Sequence, residues 1–250
     1  MTNPTKTALV IAAGQGIGAA SARALAAQGW RVGLMSTSDA CETLAHELGG
    51  FARRGSVTET ADLQALVDLA LAETGRIDAV VNNTGHGAGS SDVTQASTYD
   101  PDGNHHLLDI TDAEWHHGLD LYLLNVVRMV RLVTPVMQRQ GGGAIVNISS
   151  LGTVEPRPEY PLSALRLALH GFTKLYADRH ARDGIRMNNV LPGFVENWPV
   201  TDAVQRGIPL GRAVKLSEIA DSVAFLLSDG AGAITGQNIL VDGGLVRGVR

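Results

Sequence analysis

One cysteine, Cys41, stands alone in 250 residues, so no internal disulfide can form and the chain suits a reducing compartment. A lone thiol in a helical stretch reads as packing rather than as a reactive group. No apolar run approaches the roughly 18 residues that cross a bilayer. The opening MTNPTKTALVIAAG carries one lysine and an apolar run that stops at glycines. It reads as a first strand, since a signal peptide needs a longer apolar core and a cleavage site. There is no basic run either: arginines are scattered and the formal net charge is −5. That balance argues against nucleic acid or an anionic membrane as the main partner. With these absences, a folded cytoplasmic protein is expected.

Short apolar runs alternate with longer amphipathic ones along the chain. Strands are expected at TALVIAA, RVGLMS, IDAVVNN, GAIVNISS, IRMNNVL and QNILVDGG. Helices are expected over 17–28, 39–48, 60–73, 111–140, 161–182 and 217–227, the long one opened by a capping box of Thr111 and Glu114. Such alternation specifies α/β architecture, a single doubly wound Rossmann-type domain with a parallel sheet flanked by helices on both faces. Strands such as AIVNI are apolar on both sides, as a doubly covered sheet requires. No linker or repeat divides residues 1–250. One segment breaks the rhythm: 86–110, HGAGSSDVTQASTYDPDGNHHLLDI, has no clear period. Following a strand's carboxyl end, where ligands bind in such sheets, it is expected to be a substrate lid.

The turn AAGQGIG joins the first strand to the first helix. Gly14, Gly16 and Gly18 allow a tight turn, close approach to a diphosphate and a helix seated on the sheet. The helix start offers free N–H groups to phosphate. A glycine cluster with a strand before it and a helix after it points to a nucleotide.

Here the chain resembles the short-chain dehydrogenase/reductase family, over nearly its whole length. IAAGQGIG resembles the family's Thr-Gly-x-x-x-Gly-Ile-Gly, with Ile11 and Ala12 replacing the Thr-Gly pair. NNTG at 82–85 resembles its Asn-Asn-Ala-Gly, IVNISS ends at its serine position, MNNVLPGFVEN is similar to its Asn-x-x-x-Pro-Gly segment, and ITGQNILVDGG to its close. The resemblance implies an NAD(H) or NADP(H) site built from Ala12, Gly14, Gln15, Gly16, Ile17 and Gly18. It adds Ser36, Thr37, Ser56, Val57, Asn83, Thr84, Gly85, Arg166, Pro192, Gly193, Val195 and Asn197. Ser36 ends the second strand, where an acidic residue would bind ribose hydroxyls and repel a 2′-phosphate. Its small hydroxyl favours NADP(H) over NAD(H). No basic residue marks the spot, for Gln15 stands where many NADP-binding relatives carry Lys or Arg, and Ser56 replaces the aspartate that usually meets the adenine amine.

In that family a tyrosine donates a proton to the substrate carbonyl, a lysine four residues later binds ribose, a serine orients substrate, and an asparagine on the long helix holds a water. Ser150 keeps the serine position. Counting back from HGFTK puts Arg166 at the lysine and Leu162 at the tyrosine; counting forward from Ser150 gives Ser163 instead. The helix-side count is preferred, because a loop absorbs a deletion more easily than a packed helix. The asparagine position, seven residues past Trp115, is Tyr122, with Asn125 one turn further. Leu162 can donate nothing, and a guanidinium with a pKa above about 12 cannot pass a proton on. Tyr160 is therefore the first candidate donor and Tyr122 the second, with Ser163 and lid histidines behind them. Ser150 and His86 are candidate substrate contacts.

No metal site is expected, because the histidine pairs 105–106 and 116–117 are adjacent and point apart on a helix. His170 and His180 read as helix-surface residues. The readings are an oxidoreductase interconverting a carbonyl and an alcohol, or an imine and an amine, a nucleotide-binding protein without catalysis, and a lyase or dehalogenase on the same fold. The last is disfavoured by the retained glycine turn and by Leu162 four residues before the arginine. The lid and the segment 196–212 would set specificity. The resemblance also implies a homo-oligomer, dimer or tetramer, packed through the two long helices.

Overall fold

The computed structural model describes residues 5–84, 107–156 and 161–248. Seven strands form one sheet: β1 Thr7–Ile11, β2 Arg31–Ser36, β3 Phe51–Arg54, β4 Ala79–Asn82, β5 Gly143–Ile148, β6 Ile185–Pro192 and β7 Asn238–Val241. They run parallel in the order β3-β2-β1-β4-β5-β6-β7. The order reverses between β1 and β4, which opens a crevice at their carboxyl ends.

Helices cover both faces. On one side α1 (Gly16–Ala27), α2 (Ala40–Glu47) and α8 (Leu216–Leu227) pack on Val10, Leu34 and Val146. On the other, α3 (Thr60–Thr74), α5 (Asn125–Gln140) and α6 (Ser163–His180) pack on Leu9, Val80 and Ile145. Consecutive residues of β1 thus feed two separate cores, and all five are buried. That is why TALVI carries no polar alternation.

Three features depart from the sequence expectation. The strand β3 was not expected, because FARR has only two apolar residues before its arginines. It forms because Gly33 leaves room for the Phe51 ring, which would lie 2.3 Å from a β-carbon there. The helix expected over 111–140 is two helices, α4 (Asp112–Leu119) and α5, joined by a π-helical turn at Asp120–Leu124. Its capping box is present, with Thr111 N–H donating to Glu114 Oε2 at 2.7 Å. A short helix α7 (Asp202–Gly207) stands inside the expected substrate segment 196–212.

Candidate active site

The glycine turn is tight because it must thread between neighbours. A β-carbon on Gly18 would lie 2.3 Å from the Ala12 carbonyl oxygen and 2.9 Å from Asn83 Nδ2. Asn83 Nδ2 donates to that same Ala12 oxygen at 3.1 Å, tying the turn to the end of β4. Gly16 has a φ of +56° and opens α1. Ala12 has a φ of +51°, the one left-handed non-glycine among the described residues. The family's glycine position therefore needs glycine-like geometry, and here a methyl group bears it at about 1–2 kcal/mol. Gln15 is exposed at the tip, and Ile17 packs on the core.

The turn's neighbours are those the sequence named. A β-carbon on Gly14 would lie 3.0 Å from Ser36 Oγ, and one on Gly16 3.4 Å from Asn197 Nδ2. Thr37 is exposed beyond β2. Ser56 Oγ shares a hydrogen bond with Thr58 Oγ1 at 2.8 Å, and Val57 packs on the α3 side. Gly193 N–H donates to Val241 O at 3.0 Å just past Pro192, and Val195 is buried in a bridge to Val214. These residues line one carboxyl edge of the sheet, and the glycines leave the backbone open there. The donor set fits a dinucleotide: backbone N–H groups at a helix start beside small hydroxyls. Gly85 and His86 lie outside the described residues, as does the lid through residue 106.

Around Ser150 two serine hydroxyls meet one glycine. Ser150 lies two residues past β5 and caps the turn Leu151–Thr153, its hydroxyl accepting from Gly152 N–H at 3.2 Å. A β-carbon on Gly152 would lie 2.5 Å from Ser163 Oγ and 3.5 Å from Ser150 Oγ. The two hydroxyls thus flank one glycine. Leu162 turns the other way, with its methyls against Gly118 of α4. Ser163 is the residue whose hydroxyl faces the serine loop. Tyr160 lies outside the described residues.

Arg166 reaches back under this loop. Its two terminal nitrogens donate to the Ile148 and Thr84 carbonyls, each at 3.1 Å, bridging the ends of β5 and β4. Its guanidinium carbon stands 4.0 Å from the centroid of the Tyr122 ring, which is buried in the π-helical turn. Burial lowers the Arg166 pKa, opposed by the charge and hydrogen bonding of Tyr122. The expected lysine and asparagine positions are thus in direct contact as Arg and Tyr. Four of the cation's five N–H groups sit on those two terminal nitrogens, and both nitrogens already serve carbonyls.

Several positioning residues escaped the sequence reading. His170, expected on the surface, is buried, because one turn after Arg166 it faces the sheet and shares a 2.8 Å hydrogen bond with Ser149 Oγ. His180 is half-buried and pairs with Asp183. Asn82, Asn147, Asn189 and Asn238 stand in register on four adjacent strands and hydrogen-bond in a ladder, at 2.8, 2.9 and 2.7 Å. The signal was present: an asparagine inside an apolar strand must find a partner. Among the described residues no group of three metal ligands occurs, and no helix there is long and apolar enough to cross a membrane.

Comparison with known proteins fits this geometry. The family described as enoyl-(acyl carrier protein) reductase matches residues 11–246. The 3-oxoacyl-[acyl-carrier-protein] reductase FabG of Escherichia coli (strain K12) is 33% identical, over 96% of this chain and 97% of its own. The protein of the same name from Staphylococcus aureus is 32% identical, over 96% and 98%. A solved variant of actinorhodin polyketide ketoreductase with NADPH superimposes with a TM-score of 0.83 at 30% identity, over 96% of this chain and 97% of its own.

Proposed function

Because the chain belongs to the short-chain dehydrogenase/reductase family, we propose that it is an NADP(H)-dependent oxidoreductase. It interconverts a carbonyl and an alcohol (or an imine and an amine) on a small organic substrate, with a proton donor other than a tyrosine at Leu162. The observation that carries this reading is the convergence of the glycine turn, Ser150 and the Arg166 cation on one sheet edge. Relatives named as reductases, and a ketoreductase solved with NADPH, support it.

Ala12, Gly14, Gln15, Gly16, Ile17 and Gly18 would hold the diphosphate, Ser36, Thr37, Ser56 and Val57 the adenosine end, and Asn83, Thr84, Pro192, Gly193, Val195 and Asn197 the nicotinamide half. Bound there, the dinucleotide supplies or accepts hydride. Ser150 orients the substrate oxygen by hydrogen bonding. Arg166 supplies fixed positive potential beneath it and never gives up its proton in the working range. Tyr160 is the proposed donor, a phenol placed by the sequence just before Pro161 and α6. Tyr122 is buried under the guanidinium, which suits it to holding Arg166.

Mixing NADPH-loaded protein with a carbonyl panel in a stopped-flow instrument tests the reading. Loss of NADPH absorbance with at least one substrate is expected, and Tyr160→Phe should slow it. Tight NADPH binding with no turnover would favour the second reading, a nucleotide-binding protein without catalysis. That alternative draws its support from Leu162 at the helix start and from the carbonyls that occupy Arg166.

The lid at 86–110 and the segment 196–212 are proposed to choose the substrate. The second is braced by Arg212, whose guanidinium meets both Glu218 oxygens at 2.9 and 2.6 Å. A homo-oligomer packed through α5 and α6 is also proposed; Leu167 and Leu175 of α6 are exposed. A sedimentation profile of a lone 26.3 kDa species would refute that assembly.

A further inference from the structure

Resting on the NADP(H) reading, we propose that Arg54, on the strand β3, is the residue that recognises the 2′-phosphate and so sets the preference for NADP(H). The sequence places no cation next to Ser36, because Arg54 lies 18 positions away. The sheet brings them together. Ser36 and Arg54 are register partners on β2 and β3, and Gly55 N–H donates to Ser36 O at 3.0 Å, carrying the pairing past the strand end. Paired residues on adjacent strands lie about 4.8 Å apart and project from the same face.

That face is the one the cofactor needs. Ser36 Oγ adjoins the position of a β-carbon on Gly14, at 3.0 Å, so Ser36 lies beside the diphosphate turn. Two residues before Arg54, Ala52 packs on the core shared with α1 and α2. Arg53 belongs to the opposite face, with Phe51 of the α3 side. Glycine turn, serine and arginine therefore follow one another across β1, β2 and β3, in the order diphosphate, ribose, 2′-phosphate.

The cation is available. Arg54 is exposed, and its side chain makes no hydrogen bond or ion pair among the described residues. The carboxylates at the start of α2, Asp39 and Glu42, form no ion pair with it. A phosphate monoester is dianionic and planar-fork recognition by guanidinium suits it; the exposed Thr37 offers a hydroxyl donor, while the Ser36 hydroxyl donates to Ser38 O at 2.9 Å. NAD(H) lacks that group and gains nothing from Arg54.

The test is calorimetric titration of NADPH and NADH, and of 2′-AMP and 5′-AMP, into the unaltered protein and the variants R54Q and R53Q. Arg53→Gln removes the same charge from the neighbouring position on the other face. A surface charge-assisted contact corresponds to a loss of about tenfold. R54Q should weaken NADPH and 2′-AMP by about that factor while NADH and 5′-AMP change less than about twofold, and R53Q should alter none of them. Equal weakening of NADPH and NADH by R54Q, or an R53Q effect as large as that of R54Q, overturns the assignment and leaves the oxidoreductase reading standing. Binding of neither nucleotide by the unaltered protein defeats both.

Discussion

Replacing Arg166 with methionine is expected to destabilise the fold by about 2–4 kcal/mol. The side chain makes two charge-assisted hydrogen bonds, to the Ile148 and Thr84 carbonyls, worth about 1.5–3 kcal/mol each. It also stacks on a buried aromatic ring at 4.0 Å, which adds about 0.5–2 kcal/mol. Against these stands the desolvation of the guanidinium, the same effect that lowers its pKa. Methionine recovers that cost and fills much of the space, so the net loss falls well below the gross sum. In a domain of this size the change corresponds to a Tm lower by roughly 5–15 °C. Urea unfolding followed by circular dichroism measures it. Arg166→Lys should fall between, because an ammonium reaches one carbonyl well but lacks the fork for two. Combining R166M with Tyr122→Leu should show a coupling of about 0.5–2 kcal/mol. A loss for R166M below about 0.5 kcal/mol, the size of an ordinary surface change, would refute the claim that this cation ties β4 to β5. Strict additivity in the cycle would refute the stacking.

Four further outcomes follow from the same contacts. Ala12→Gly should raise stability by about 0.5–1 kcal/mol, since it relieves the positive φ and loses some unfolded-state entropy in return; a lower melting temperature refutes the strain. Gly18→Ala should cost about 1–3 kcal/mol and weaken NADPH binding, because its methyl meets the Ala12 carbonyl at 2.3 Å. Ser150→Ala should lower kcat by about a hundredfold where the hydroxyl orients the reacting oxygen, whereas Ser163→Ala should leave kcat within about threefold; a loss for Ser163→Ala as large as that for Ser150→Ala would move the donor from Tyr160 to Ser163. Glu218, held by Arg212 and by the Lys215 N–H, has its pKa lowered from 4.5 to about 2. Its contribution is therefore complete above the unfolded value and disappears as pH falls toward the folded one. The gap in urea midpoint between the unaltered protein and E218Q should hold from pH 7 to about 5 and close by about pH 2.

The sheet was legible because its strands are doubly buried and its turns carry glycine. Six strands and the helices α1, α2, α3, α6 and α8 fall within a few residues of their expected places. The strand β3 was not legible: it has no alternation of its own and exists because Gly33 across the ladder admits the Phe51 ring. The π-helical turn was hidden for a different reason. An apolar period over 111–140 reports which side faces the core, and one extra residue per turn shifts that side only locally. His170 illustrates the third limit. Its neighbours in sequence are leucine, glycine and a helix face, and only the position of Ser149 on another element makes it a buried, hydrogen-bonded residue.

At the candidate site, residue types were legible and contacts were not. Counting put Arg166 and Tyr122 at the lysine and asparagine positions, as two separate losses. The structure shows them as one arrangement, since an asparagine offers no π-face for the guanidinium to rest upon. The pairing holds a positive charge at the strand ends. On the proposed oxidoreductase reading, the proton would come from a group other than Arg166. Any bend in the pH–rate profile between about pH 6 and 9 would belong to that group, because the guanidinium stays charged throughout.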